Sequence, residues 1–235
     1  MPPKDAMPTI EDVARRAGVS TATVSRVLNQ TDAVRAGPRA KVEAAVTALG
    51  YVPHAGARTM KLRRSGTIGA VFPTVDNAIF AKAINALQRR LADAGHQLLI
   101  ATSDYDPATE ERQALTLLAR GVDGLLLCGC GQARELIGRL RQRAVPVVHV
   151  MSWPAPADRI CVGFDNAQAM KQVVKYLTAM GHRRIAMLAG VTRSNDRAAE
   201  RVRGVREALA AARIALPASR LVERRYGLDP ARDGL

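Results

Sequence analysis

Residues 9–29 read TIEDVARRAGVSTATVSRVLN, and this stretch decides the fold of the N-terminal part of the chain. Its opening, Thr9-Ile-Glu-Asp12, has the form of a capping box, which begins a helix. Gly18 ends that helix and permits a tight turn, and Ser20 can cap a second helix. Apolar residues recur at helical spacing in both segments, so the two helices can pack against each other. The stretch therefore predicts a helix-turn-helix.

The second helix of this motif separates its apolar and polar side chains. Val24, Val27 and Leu28 face inward, whereas the outer surface carries small residues and one long basic side chain. The second helix of a helix-turn-helix enters the major groove of DNA, where small residues permit close approach and Arg26 can pair with guanine or clamp a phosphate. Each side chain taken alone also fits a plain exposed helix position. The outer residues are Thr21, Ala22, Ser25 and Arg26.

The charge distribution favours a polyanionic partner for the same region. The 235-residue chain carries a formal net charge of +14. Residues 1–65 hold 11 basic and 5 acidic groups, a net charge of +6, and residues 66–235 hold 24 and 16, a net charge of +8. The net positive charge per residue is therefore about twice as high in the N-terminal piece. A basic surface attracts nucleic acid. Codon bias is an alternative source of the charge, because Arg outnumbers Lys by 29 to 6.

The remaining chain predicts a third helix and then an α/β core. The third helix is expected from near Pro38, a residue suited to a first helical turn, to Gly50. From residue 67 onward, apolar runs alternate with amphipathic stretches, which is typical of a parallel, doubly wound sheet. The predicted strands are 67–72, 97–102, 122–128, 145–150, 160–164 and 184–188. The predicted helices are 77–94, 107–120, 132–143, 167–180 and 196–213.

Several classes of protein lack their signatures in this sequence. No run of about 18 uncharged apolar residues predicts a membrane span, and the start MPPKDAMPTIEDVA lacks the apolar core of a signal peptide, so we expect a cytoplasmic protein. No nucleophile elbow, phosphate-binding loop, dinucleotide fingerprint or zinc-protease motif occurs, so we expect no catalytic residues, no enzyme activity and no cofactor. Cys128, Cys130 and Cys161 lack zinc-ligand spacing and predict buried thiols rather than a metal site.

Residues 9–53 resemble the LacI/GalR family of transcriptional regulators. The shared patterns are D-V-A-x-x-A-G-V-S at 12–20, T-V-S-R-V-L-N at 23–29 and K-V…A…L-G-Y-x-P at 41–53. Four later segments resemble the core strands of that family and the arginine helix of its effector cleft: 68–73, 121–125, 181–185 and Arg201-x-x-Gly204. The resemblance implies a small all-α helix-turn-helix domain followed by a periplasmic-binding-protein-like α/β core with two subdomains.

The resemblance also implies a function and a set of DNA contacts. The expected protein is a homodimeric repressor or activator, associated with the nucleoid, that binds a pseudo-palindromic operator in double-stranded DNA. Thr21 and Ala22 would read bases, and Arg26 would support them. A hinge helix would order on the operator and insert Met60 into the minor groove as an apolar wedge. The expected DNA-binding residues are Thr9, Ser20, Thr21, Ala22, Thr23, Ser25, Arg26, Asn29, His54, Ala57, Arg58 and Met60.

A small-molecule effector is implied by the same resemblance, with a sugar, a sugar acid or a phosphosugar as the expected class. Ligands of such sheets bind beyond the carboxyl ends of the strands. The expected effector-binding residues are Thr74, Asp76, Asn77, Phe80, Ser103, Trp153, Asp165 and Arg201. Alternatives stay open for four of them: core packing for Phe80, surface packing for Trp153, capping of the next helix for Asp165 and an exposed helix position for Arg201.

We expect four segments along the chain. Residues 1–53 form the DNA-binding domain, residues 54–66 a hinge helix or linker, residues 67–165 the N-terminal subdomain of the effector-binding core, and residues 166–235 a partial C-terminal subdomain, because members of the family are longer at this end. Three other hypotheses are a periplasmic-type sugar-binding protein, an α/β enzyme and a truncated DNA-binding product without effector control. The helix-turn-helix opposes the first, and the missing catalytic motifs oppose the second.

Overall fold

The computed structural model describes residues 7–29, 34–53, 64–154 and 156–226, with the side chain of Asn29 left out. The chain divides into two compact units, Met1–Arg63 and Arg64–Leu235. Each unit has its own hydrophobic core, and each is described by itself below.

The first unit contains three helices joined by short turns. They are α1 (Ile10–Ala17), α2 (Thr21–Asn29) and α3 (Ala36–Leu49). The predicted capping box is present, because the Asp12 N–H donates to Thr9 Oγ1 at 3.3 Å and the Thr9 N–H donates to Asp12 Oδ2 at 3.0 Å. Gly18 ends α1 in the left-handed conformation at φ 65°, which favours glycine. The Thr23 N–H donates to Ser20 Oγ at 3.2 Å, so Ser20 caps α2 as predicted.

The third helix begins two residues earlier than predicted. It starts at Ala36, which leaves Pro38 inside the first turn, where a missing N–H costs no intrahelical hydrogen bond. Arg35 occupies the N-cap position and makes no side-chain cap hydrogen bond. Gly50 ends α3 at φ 59°. Apolar side chains of all three helices pack into one core, formed by Val13, Ala14, Ala17, Val24, Val27, Val42, Ala45 and Tyr51.

The second unit is built around a five-stranded parallel sheet with helices on both faces. The strands are β1 (Thr67–Phe72), β2 (Gln97–Thr102), β3 (Gly124–Cys128), β4 (Val147–Val150) and β5 (Ile160–Val162), in the order β2-β1-β3-β4-β5. The helices between them are α4 (Ala78–Asp93), α5 (Pro107–Ala119) and α6 (Arg134–Gln142). Alternate residues of β1 enter opposite cores: Val71 packs with α5 and α6, whereas Phe72 packs with α4. The predicted doubly wound architecture is confirmed.

A second, smaller α/β layer follows the five-stranded sheet. Its elements are α7 (Asn166–Ala179), β6 (Met187–Gly190), α8 (Asp196–Ala211), a single 3₁₀ turn (Ala218–Arg220) and β7 (Leu221–Arg224), with β6 and β7 paired in parallel. The two helices touch at their backbones, since a Cβ on Gly204 would lie 2.8 Å from the Cα of Ala167. Gly204 is therefore required for this close approach.

Two strand assignments from the sequence need correction. The sixth strand was expected at 184–188 and lies at Met187–Gly190, so Arg184 precedes it in a loop. The seventh strand was not predicted, because Leu221–Arg224 reads LVER and half of these residues are charged. Within the described part of the chain, no helix combines the length and the apolar character that crossing a membrane would require.

A carboxylate fixes the point where the chain enters the second unit. Asp123, immediately before β3, accepts hydrogen bonds from the N–H groups of Ser65 at 2.8 Å and Gly66 at 2.7 Å, and from Ser65 Oγ at 3.2 Å. Partial burial would raise the pKa of Asp123, but the hydrogen bonds outweigh burial and hold that pKa below its ordinary value of 3.8. The ionised form is therefore stabilised by folding.

Replacing Asp123 with Asn tests this contact. We expect D123N to lower the free energy of unfolding by about 1–2 kcal/mol at neutral pH, because a carboxylate accepts these bonds more strongly than an amide. Since the folded pKa is depressed, the advantage of Asp is fully present above 3.8 and is lost as pH falls through the lower folded value. Urea unfolding of both proteins at pH values above and below 3.8 measures this difference in the free energy of unfolding. D93N, at the exposed end of α4, is the control, and equal losses in both variants would contradict the assignment.

Candidate functional site

The outer face of α2 carries the residues predicted to read DNA. Thr21, Ala22 and Arg26 are exposed, whereas Val24 is 0% exposed and anchors the helix in the core. Ser25 is half-buried. The short side chains at the start of α2 leave its backbone accessible, and Arg26 extends from the next turn. This geometry allows close approach of the helix to a flat or grooved surface.

Other predicted DNA-binding residues have structural roles or lie outside the described residues. Thr9 caps α1, and Thr23 is half-buried with its Oγ1 3.0 Å from Ser20 Oγ. The backbone of Asn29 ends α2. The hinge residues lie outside the described residues and comprise His54, Ala57, Arg58 and Met60.

A cleft lies at the carboxyl ends of the sheet strands in the second unit. It encloses a cavity of about 90 Å³. Loops that follow β1, β2 and β3 form one wall, and the residues that begin α8 form the other. The lining residues are Pro73, Ser103, Tyr105, Asp106, Pro107, Glu110, Cys128, Gly131, Gln132, Ser194, Asp196 and Arg197. The two α/β layers therefore meet at a polar cavity.

The carboxylate of Asp196 joins the two walls of the cleft. It accepts hydrogen bonds from the Cys130 N–H at 2.6 Å and from Ser152 Oγ at 3.1 Å. Arg197 Nη1 donates to the same carboxylate at 3.1 Å, and Arg197 is only 8% exposed. The buried guanidinium is thus balanced by a neighbouring negative charge, as burial of a charge requires. Gly129 makes room for both groups, since a Cβ there would lie 2.5 Å from Asp196 Oδ1.

An aromatic pair beside the cavity joins the loop after β2 to the residues after β7. Arg201 donates from Nη1 to Asn166 Oδ1 and from Nη2 to the Tyr226 hydroxyl, both at 2.7 Å. The ring of Tyr226 stacks on Tyr105 with centroids 5.2 Å apart and planes 21° apart. Burial, reinforced by Tyr226, raises the pKa of Tyr105 to about 12. Tyr105 is therefore a neutral hydroxyl at physiological pH and can both donate and accept a hydrogen bond.

A buried amide and a half-buried carboxyl face each other in the lining of the cleft. Gln132 Nε2 donates to Glu110 Oε1 at 3.1 Å and to the Cys128 carbonyl at 3.3 Å. Burial raises the pKa of Glu110, and the hydrogen bond from Gln132 only partly offsets this effect. Both side chains offer polar atoms to a bound molecule. The cavity thus combines hydroxyl, amide, carboxyl and guanidinium groups, a set suited to polyhydroxylated ligands.

Four of the six described non-glycine residues in the left-handed region lie in loops that follow strands. They are Asp104 at φ 49°, Tyr105 at φ 60°, Met151 at φ 67° and Ser194 at φ 59°, whereas Ala144 and Arg213 follow helices. Such residues store backbone strain and recur at ligand-binding sites. Their loops follow β2, β4 and β6, so the strain lies where the strand ends meet the cavity.

One predicted effector residue lines the cavity, and several others cap helices or turns. Ser103 is buried and lies in the lining. Asn77 caps α4 by accepting from the Ile79 N–H at 3.1 Å. Thr74 Oγ1 accepts from the N–H of the exposed Asp76 at 3.1 Å. These last three residues lie in the loop after β1, outside the cavity lining.

The alternatives left open by the sequence apply to Phe80 and Asp165 but not to Arg201. Phe80 is 5% exposed and packs on Phe72 with ring centroids 5.8 Å apart, so it belongs to the core. Asp165 caps α7 by accepting from the Gln168 N–H at 2.7 Å. Trp153 is 54% exposed and forms an isolated β-bridge with Asp165. Arg201 is half-buried and bonded to Asn166 and Tyr226, so it is not a plain exposed helix position.

The residues that sequence reasoning missed are those brought together over long distances. Asp196 lies 66 residues from Cys130 in the chain, and no local pattern connects them. The missed cleft residues are Tyr105, Glu110, Gln132, Asp196 and Arg197. Among the thiols, Cys128 is buried as expected, whereas Cys130 and Cys161 are only partly buried, which corrects the expectation for these two. Within the described ranges, no group of three or more His, Cys, Asp or Glu residues could hold a metal ion.

The fold and the two sites define a class of protein: a helix-turn-helix unit followed in the chain by a two-layered α/β domain with a polar cavity between its layers. Residues 9–54 match the profile described as bacterial regulatory proteins, lacI family. Residues 65–220 match the profile described as periplasmic binding proteins and sugar binding domain of LacI family. The chain belongs to the lacI family of bacterial regulatory proteins.

Individual relatives agree with this assignment. The HTH-type transcriptional regulator GntR of Escherichia coli K12 is 31% identical over 221 residues, which cover 94% of this chain and 66% of the relative. A LacI-family regulator from Silicibacter pomeroyi superposes with a TM-score of 0.80 at 27% identity, over 89% of this chain and 63% of that one. The lac repressor dimer bound to operator and the anti-inducer ONPF gives a TM-score of 0.77 at 27% identity, over 94% and 67%. The alignment with GntR shows that this chain spans slightly less than two thirds of the length of that relative, 66%.

Placing a methyl group at Gly129 tests the packing around Asp196. We expect G129A to lower the free energy of unfolding by about 1–3 kcal/mol more than G181A does, because the added carbon displaces Asp196 and the buried Arg197. The two glycines share a left-handed backbone, at φ 84° and φ 90°, but a Cβ on Gly181 meets nothing within 4 Å. Urea unfolding of both variants isolates the clash from the backbone cost. Equal destabilisation would contradict the tight fit.

Proposed function

We propose that this chain is a sequence-specific transcriptional repressor that binds double-stranded operator DNA as a homodimer and responds to a small sugar-type effector. The observation that carries the proposal is the outer face of α2, where Thr21 and Ala22 leave the backbone accessible and Arg26 extends outward. A helix with these properties fits the major groove. The lac repressor, a structural neighbour, is described as a dimer bound to operator.

The proposal assigns a role to each segment of the chain. Residues 1–53 form the DNA-binding domain and residues 54–66 the hinge, with Met60 as the minor-groove wedge and His54, Ala57 and Arg58 as DNA contacts. Residues 67–165 and 166–235 contribute the two subdomains of the sensor. In the helix-turn-helix, Thr21, Ala22 and Arg26 contact bases, and the residues around them contact phosphates. These are Thr9, Ser20, Thr23, Ser25 and Asn29.

The effector is proposed to bind at the cleft around Asp196. The cavity of about 90 Å³ is smaller than the roughly 300 Å³ at the lower end of ligand pockets, so a sugar requires the two walls to separate. Separation breaks the hydrogen bond from Cys130 to Asp196 and frees donors and acceptors for the ligand. Sugars, sugar acids and phosphosugars all fit this chemistry, with Arg197 as the group that would pair with an acid or phosphate.

The expected outer residues of the site then contact the ligand from the rim of the opened cleft. These are Thr74, Asp76, Asn77, Trp153, Asp165 and Arg201, together with Ser103 inside. A role on operator DNA implies a cytoplasmic protein associated with the nucleoid. This role needs neither enzyme activity nor a cofactor. The alternative of a DNA-binding product without effector control is less well supported, because the cleft residues Glu110, Gln132 and Asp196 are already assembled.

Replacing Arg26 with Ala tests the DNA interface. We expect R26A to weaken operator binding by about 1–3 kcal/mol, and more on the operator than on random DNA, because a base contact is lost. K41A removes one charge from the exposed face of α3 and is the control. Footprinting on the upstream DNA of the gene, followed by titration, measures the effect. A footprint absent from all genomic fragments would overturn the proposal, and equal losses on both DNAs would reduce Arg26 to a phosphate contact.

The salt dependence of binding gives a second check on the same interface. Roughly 6–10 phosphate contacts predict that affinity falls by about 10³–10⁵ between about 50 and 200 mM salt. The physical reason for this steep salt dependence is the net positive charge of the N-terminal 65 residues, which attracts DNA phosphates. Fluorescence anisotropy at increasing salt measures the slope, and a flat profile would contradict electrostatic docking.

The effector is tested by thermal unfolding with a panel of sugars, sugar acids and phosphosugars. A ligand at about 100 times its Kd stabilises the folded state by about 2.7 kcal/mol, which corresponds to a Tm increase of about 5–10 °C for a chain of this size. We expect R197A to remove that increase and K175A, exposed on α7, to retain it. A ligand that stabilises R197A as strongly as the unchanged protein would place the site elsewhere.

A further inference from the structure

Two cysteines approach each other beside the cleft. Cys130 lies in the loop that follows β3, and Cys161 is the central residue of β5, 31 residues later in the chain. Their Sγ atoms are 2.7 Å apart, and both residues are only partly buried. The third cysteine, Cys128, is buried in the core that packs against α4. The chain therefore carries one adjacent pair of thiols and one separate thiol.

The strand register explains why these two thiols meet. Cys161 pairs with His149 of β4, so their side chains lie on the same face of the sheet. The buried His149 ring places Nδ1 3.0 Å from the carbonyl oxygen of Gly129, the residue before Cys130. The neighbours of Cys161 point the other way, since Ile160 is 67% and Val162 65% exposed. Backbone pairing, rather than a mobile loop, thus brings Cys161 to Cys130.

Both peptide groups of Cys130 are held in place. Its N–H donates to Asp196 Oδ2 at 2.6 Å, and its carbonyl accepts from Arg159 Nη1 at 2.6 Å. Arg159 lies two residues before Cys161, immediately before β5 begins. The loop is therefore fastened to β5 on one side and to α8 on the other. A covalent link to β5 would fix the same loop that receives Asp196.

The geometry points to a reversible modification site: Cys130 and Cys161 form an intramolecular disulfide when a hydroperoxide oxidises the protein. Cys161 first releases its proton to solvent, and its thiolate attacks one peroxide oxygen. The O–O bond breaks, Cys161 becomes a sulfenic acid, and the leaving hydroxide (or alkoxide, from an organic peroxide) takes up a solvent proton to give water (or an alcohol). Cys130 Sγ then attacks the Cys161 sulfur, the S–S bond forms, and the hydroxyl leaves with the Cys130 proton as water. Two thiols lose two electrons and two protons, and the peroxide is reduced.

The surroundings of the two thiols indicate which one reacts first with the peroxide. Burial, reinforced by the hydrogen bond with Cys161, raises the pKa of Cys130 to about 12, so this thiol stays protonated at neutral pH. Burial also raises the pKa of Cys128 to about 11. Thiolates, and not thiols, attack peroxides. We assign the attack to Cys161 because it lies on the edge strand of the described sheet, between the exposed Ile160 and Val162, and Cys130 in its fastened loop is the resolving residue.

Oxidation of the full chain with hydrogen peroxide, followed by alkylation and peptide mapping, tests the site. We expect a chain lighter by two hydrogens with no cross-link between chains, a cross-linked peptide pair containing Cys130 and Cys161, an alkylated Cys128, and full reversal by dithiothreitol. In C130S, a sulfenic-acid probe should label Cys161. In C161S, it should leave Cys130 unlabelled. Oxidation after denaturation in urea is the control, and it should yield mixed pairings that include Cys128.

Two results would overturn the inference. One is a folded protein in which all three thiols remain alkylatable after excess peroxide. The other is a cross-link that joins Cys128 or two separate chains in the folded state. Labelling of Cys130 in C161S together with no labelling of Cys161 in C130S would reverse the assigned order. These outcomes do not depend on operator or effector binding, so failure here leaves the proposed function standing.

Discussion

The second unit depends on the contact between the Asp196 carboxylate and the Cys130 N–H. Its donor belongs to the loop after β3, its acceptor begins α8, and the same carboxylate also balances the buried guanidinium of Arg197. A charge-assisted hydrogen bond in a partly buried place is stronger than an exposed one. Loss of the Asp196 carboxylate would also remove the ion-pair partner of the buried Arg197. One acidic side chain therefore joins the loop after β3, Ser152 after β4 and the start of α8.

Strand β3 links this contact with the point where the chain enters the unit. Asp123 precedes the strand and binds the N–H groups of Ser65 and Gly66, and Cys130 follows it. The strand lies between β1 and β4, and Leu127 is fully buried at its centre. Hydrogen bonds of Asp123 before the strand and of Cys130 after it therefore connect the buried β3 with the start of the unit at one end and with the cleft at the other.

The sequence predicted local features well, because their causes are local. The capping box at Thr9 and Asp12, the left-handed Gly18 and the alternation of strands and helices all depend on neighbours within a few residues. The cleft was predicted poorly, since its contacts join distant positions such as Cys130 and Asp196. A polar residue before a helix looks the same whether it caps or binds ligand, and Asn77 and Asp165 both cap helices in the structure. Phe80 was ambiguous for a similar reason, because an apolar ring fits a core as well as a sugar face.

Trp153 has a consequence for how this molecule can be observed. It is the only tryptophan in the chain, it is about half exposed, and its backbone pairs with Asp165, which begins the second α/β layer. Its indole lies one residue beyond Ser152, whose hydroxyl donates to Asp196. The intrinsic fluorescence of this single tryptophan therefore reports on the boundary between the layers without any added dye. A change in its emission would indicate whether the two layers have separated at that boundary.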